Sequence, residues 1–158
     1  MRIRDLALAA FFLRLVFPSS LVSQWIAVNG TWNLNITSAN LQGAPGSNLI
    51  DTYTSTMGDV TIDVNGTTFK KTWRVDVHKE DISWDSNFHL DVQRAAFPNL
   101  IGGTTYSEIT NTDREFFHTT ARKNAVGIQL QYRLRSVSST FLYAATYSVR
   151  IVYTLVDT

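Results

Sequence analysis

Three histidines, His78, His89 and His118, are the side chains best suited to proton transfer or metal binding. They are scattered without ligand-like spacing and predict no zinc centre. His78 shares a polar strand face with Asp76 and lies near Glu80, which reads as a solvated surface imidazole. Asp59, Asp63, Asp81, Asp85 and Asp113 stand near turns, where aspartate is favoured for its local hydrogen bonds. They do not form the dense carboxylate loop that holds calcium. There is no Gly-rich phosphate loop and no G-x-S-x-G nucleophile turn. The chain therefore predicts no catalytic residue, no cofactor and no metal, and it does not read as an enzyme. What remains is chemistry done to the chain. Asn29, Asn35 and Asn65 each open an Asn-x-Thr triplet and are candidate glycan acceptors on an exported protein.

Aromatic side chains offer binding instead. Trp84 stands in a polar stretch and suits either stacking on a sugar or closing one end of a domain. Residues 110–124 read as the longest loop, with Phe116 and Phe117 as its apolar anchor or as a plug folded back on the domain. Trp73 shares its face with Phe69 and Val75 and reads as core.

Strands must position all of these. Over residues 146–157, Tyr147, Val149, Ile151, Tyr153 and Leu155 alternate with Ser148, Arg150 and Thr154, the pattern of a strand with one buried side. Residues 26–36 alternate as cleanly: Ile26, Val28, Gly30, Trp32, Leu34 and Ile36 share one face. Gly30 leaves a gap in that face, a mark of close approach by another group. Residues 38–48 are small and polar with Gly and Pro, a linker. The body then runs over residues 49–158. Val60, Ile62 and Val64 lead to Asn65-Gly66, a hairpin signal, with a returning strand from residue 67 to 79. Residues 81–86, from Asp81 on, read as a turn around Trp84. Phe88, Leu90 and Val92 make another strand, residues 106–110 a short one, and Val126, Ile128, Leu130, Tyr132 and Leu134 a long one. No strong helical period follows residue 25. Such strands predict an all-β, antiparallel, immunoglobulin-like sandwich with an N-terminal extension strand over residues 24–37.

Composition agrees with this class. Of 158 residues, 44% are apolar and 17% charged, with a net charge of +1 that becomes −1 without Arg2, Arg4, Arg14 and Asp5. That excludes disorder and gives no footprint for nucleic acid. No cysteine is present, so stability has to come from core size or assembly. Residues 1–23 have a basic start and an apolar run from residue 6 to 17, too short to span a bilayer comfortably. They read as an export signal, which places the mature chain outside the cell without a stable membrane span.

The ending Ala145-Thr146-Tyr147-Ser148 with Ile151-Val152-Tyr153-Thr154 resembles the terminus of exported bacterial β-sandwich proteins, the spore-coat-U-like and other pilin-like fibre subunits. Trp73-Arg74-Val75, Gly102-Gly103-Thr104, Phe116-Phe117 and Gln131-Tyr132-Arg133-Leu134 are similar to bacterial members of this kind. The resemblance implies an extracellular, cell-surface pilus or fibril, a homopolymer in which the strand over residues 26–36 completes the neighbouring subunit's sandwich. The alternative is a monomeric secreted or surface-attached module that binds glycans through Trp84 or the loop at residues 110–124.

Overall fold

The computed structural model describes residues 24–66, 72–140 and 145–158. The export signal expected over residues 1–23 lies outside them, as do Phe69 and the start of the strand expected from residue 67. In chain order the strands are β1 (Trp25–Gly30), β2 (Tyr53–Thr54), β3 (Val60–Asn65), β4 (Trp73–Ser83), β5 (His89–Arg94), β6 (Leu100–Ile101), β7 (Ser107–Glu108), β8 (Arg114–Thr119), β9 (Ala125–Arg135) and β10 (Ser148–Asp157). They form two antiparallel sheets, an all-β sandwich. One sheet runs β1-β3-β9-β5-β7 with β2 also on β9; the other runs β10-β4-β8-β6. Among the described residues no helix is long and apolar enough to cross a membrane.

Alternation explains most of the packing. Val60, Ile62 and Val64 are buried with half-buried Thr61 and Asp63 between them, and on β5 Leu90 and Val92 are buried in the same core cluster. Trp73, Val75 and Val77 of β4 face them from the other sheet. Since β3 and β4 lie in different sheets, the hairpin expected at Asn65-Gly66 is corrected. Both strands direct an apolar face at one interior, so they stack face to face rather than pairing edge to edge. The turn expected from Asp81 is also later than expected. Pairing with β10 carries β4 on to Ser83, and the turn forms where Asp85 accepts from the Asn87 backbone at 2.8 Å.

Two irregularities break the alternation. On β9, Ile62 opposes Ile128 and Val64 opposes Ala125, so Val126 and Gly127 share one partner position. Gly127 adopts φ 75°, and its N–H donates to Asp63 Oδ1 at 2.7 Å. This bulge turns Val126 outward, 56% exposed, and puts Ala125 in the core instead. On β8, Val75 opposes Phe117 and Asp76 opposes Glu115, which leaves Phe116 as the extra residue. Phe116 and Phe117 are therefore both buried, although neighbours on a regular strand face opposite ways. The loop expected over residues 110–124 is corrected: its middle is a core strand, and the phenylalanine pair is interior.

Candidate functional site

The edges of the sandwich are unequal. On one side both sheets end in two-residue strands, β7 and β6. On the other they end in six-residue β1 and ten-residue β10. Among the described residues β10 pairs with β4 alone. Short edges resist pairing with other chains; a long, β-branched edge invites it. Between the long edges lies a groove of about 910 Å³ with an aromatic floor and a mixed rim, lined by Val28, residues 30–36, Trp84, Phe88, Tyr132 and residues 145–149 among others. On β10, Val149, Ile151 and Leu155 are half-buried against the main cluster and only Tyr153 is buried; Val149 and Ile151 border the groove.

The N-terminal extension enters this groove from its own chain. Trp25 to Gly30 pair antiparallel with Asn65 to Val60, so the expected strand over residues 26–36 is corrected in two ways: its ladder is intramolecular and stops at Gly30. Gly30 has φ 97°, and a Cβ there would stand 2.1 Å from the carbonyl oxygen of Asp59. The close approach that this glycine signals is therefore to its own chain. Beyond the bend, residues 31–37 belong to no strand. Trp32 stacks on Tyr132 with ring centroids 6.3 Å apart and planes 6° apart, and Ile36 packs against Leu49, Phe88 and their neighbours. Ile26 is half-buried, whereas Val28 and Leu34 are 45% and 39% exposed.

The expected linker over residues 38–48 is held by its own bonds. Thr37 caps the Ser38–Asn40 turn, Leu41 bridges Leu49, and Gln42 N–H donates to Asn48 O at 2.8 Å. Asn48 Oδ1 accepts from Ser139 N at 2.9 Å and Oγ at 3.0 Å, tying the loop to the end of the domain. Nothing local in the sequence signals this tie, since Ser138 and Ser139 are 90 and 91 residues from Asn48.

The groove floor is aromatic with one polar pair. Tyr132 and Tyr153 join hydroxyls at 2.9 Å between the sheets. Burial pushes Tyr132 up to about 12 and holds Tyr153 well above the ordinary tyrosine value. Trp84 packs edge-on to Phe88 at 5.5 Å, and Phe88 edge-on to Tyr147 at 5.2 Å. Trp84 thus sits in a half-buried aromatic row, its Nε1 donating to Phe88 O at 3.4 Å. It lines the groove rather than standing on a polar turn.

Two charged features lie elsewhere. Asp91, 2% exposed on the outer side of β5, accepts from Arg133 Nε at 2.8 Å and Arg135 Nε at 2.6 Å. Burial alone would raise its pKa, but the two arginines outweigh it and hold the carboxyl below its usual value. Arg94 follows Leu90 and Val92 on the inward face of β5 and is 2% exposed. Its guanidinium donates to Leu100 O at 2.9 Å and Ala95 O at 3.0 Å, which fixes the crossing over residues 95–103. Desolvation lowers its pKa.

The histidines each meet a carboxylate. His78 reaches Asp113 at 2.7 Å, His89 reaches Glu108 at 2.7 Å and His118 reaches Glu115 at 2.6 Å. Among the described residues no group of three potential ligands is arranged for a metal ion. Of the candidate glycan acceptors, Asn35 is exposed, Asn29 donates to Asp63 at 3.1 Å, and Asn65 ends β3 half-buried. The structure brings together Trp32, Ile36, Trp84, Tyr132 and Tyr147 around the groove, whereas Phe116 and Phe117 do not line it and lie in the core cluster against which Trp32 and Trp84 pack. No family model, curated protein or solved structure matches the chain.

Proposed function

We propose that this chain is a structural subunit of an extracellular bacterial pilus or fibril, an immunoglobulin-like, pilin-like sandwich polymerised by strand exchange. In the polymer, residues 25–37 of one copy lie along β10 of the next. The observation that carries this reading is the groove along the first part of β10, from Ser148 to Tyr153: an open strand edge, an apolar floor, and a segment beside it that makes no ladder there. The occupant's identity follows from the same place, since the segment seated in the groove is the chain's own. A copy of that segment from a second molecule brings the same side chains to the same floor. Exchange offsets much of its own cost, because the incoming copy re-covers the floor with the same side chains and a ladder on β10 replaces the departing segment's ladder on β3. Passed head to tail without closure, it generates a filament. Pairing along β10 would add backbone hydrogen bonds that the bent segment lacks and cover an aggregation-prone edge. Glycans on Asn29 and Asn35 project from the polar parity of the segment, away from the apolar one.

Removal of residues 1–37 tests the reading. The truncated chain is expected to be unstable and to be rescued by a synthetic peptide of residues 24–37. The full exported chain is expected to form filaments in negative-stain micrographs. A truncated chain that stays folded, monomeric and indifferent to the peptide would sink the proposal.

A further inference from the structure

We infer that residues 25–36 are a two-position strap hinged at Gly30: bent, it caps its own sandwich and blocks assembly; straight, it is the donor strand. This rests on the strand-exchange reading and adds to it a built-in brake.

The sequence carries a period that the bent form does not use. Ile26, Val28, Trp32, Leu34 and Ile36 keep one parity on both sides of Gly30, which is the signature of one straight strand with one apolar side. In the bent form only Ile26, Trp32 and Ile36 pack, while Val28 and Leu34 stay 45% and 39% exposed. The bend divides the strap: residues up to Gly30 ladder on β3, and residues 31–36 line the groove that β10 also borders, with Trp32 stacked on Tyr132. A straight strand puts all five apolar side chains on one face again.

Gly30 is what permits the bend. Its φ of 97° lies in the left-handed region, and Asp59 O occupies the space of a Cβ. That carbonyl cannot easily retreat. Asp59 N–H donates to Thr56 O at 3.2 Å, its carboxylate accepts from Thr56 N at 2.9 Å, and Gly58 N–H donates to Leu130 O at 3.0 Å. A straight strand has negative φ at position 30 and accepts any L-residue there. Gly30→Ala therefore penalises the capped form alone. In the capped form Trp32 covers Tyr132 and Ile36 covers the Leu49–Phe88 cluster, so the strap must leave before a neighbour's strand can pack there.

The test is uptake of a fluorescent peptide of residues 24–37 by the full chain, read by polarisation and native mass spectrometry. Gly30→Ala protein is expected to take up the wild-type peptide, or to form chains of itself, about tenfold more than wild type. A peptide carrying Gly30→Ala is expected to enter wild-type protein as well as the wild-type peptide does; this arm needs no folded variant. Equal uptake by both proteins, or exclusion of the substituted peptide, overturns the hinge and leaves strand exchange standing. No uptake and no chains with either protein overturn strand exchange itself, and the hinge with it.

Discussion

Tyr132 and Tyr153 share one hydrogen bond between the sheets, and their behaviour with pH follows from burial. Both are held above the ordinary tyrosine value, so the folded chain keeps protons that the unfolded chain releases. Their contribution is whole below about pH 10 and is lost as the pH rises through the folded values. The urea midpoint of the wild type is expected to fall more steeply above about pH 10 than that of a Tyr132→Phe, Tyr153→Phe double variant. Removing both hydroxyls together leaves neither unpaired and costs about 1 kcal/mol at neutral pH. Asp91 has the opposite sign. Its depressed pKa contributes stability above about pH 4 that is lost as the pH falls through the folded value. Asp91→Asn should cost about 1–3 kcal/mol at neutral pH, by denaturant titration, and flatten the acid limb. Neither pair is visible from spacing, since Tyr132 is 21 residues from Tyr153, and Asp91 is 42 and 44 from its arginines.

At the scale of elements, bulges decide which side chains face in. Val126 and Ile128 have the same parity, and a regular strand would bury both. With the bulge, Val126→Lys is expected to change stability by no more than about 0.5 kcal/mol, whereas Ile128→Asp should cost several. Thermal melts of the two variants check the bulge directly; equal losses would refute it. Gly127 is the local signal, because an isolated glycine in a strand marks a bulge. For Phe116 there is none, as its bulge is set by register against β4. Phe117→Ala should cost about 3–5 kcal/mol in a denaturant titration, because it opens a cavity beside Trp73 rather than trimming a surface side chain.

For the whole molecule, the consequence is an uneven perimeter: two blunt edges and, opposite, two long ones with a groove between them. Trp32 is the strap's main anchor on that side, so Trp32→Ala should loosen the capped form by about 1–3 kcal/mol. Its tryptophan emission reports on the groove, since stacking on Tyr132 is lost whenever the strap leaves. If the strap is exchanged between copies, the Trp32→Ala chain should also fail to form filaments. Filaments of normal length from that variant would show that the groove is not the joint.

Local sequence determined the class of this protein. Alternation over residues 60–64, 90–92, 128–134 and 149–155 marked the strands and the faces they bury, because side-chain direction on a strand depends only on parity. It also marked the extension over residues 26–36 and its odd glycine. Tertiary structure alone decided which strands neighbour one another, that β3 and β4 face across the core, and that Phe116 is interior. It alone showed that Gly30 turns the extension back past Asp59. These depend on contacts between distant residues, whose register no local pattern encodes.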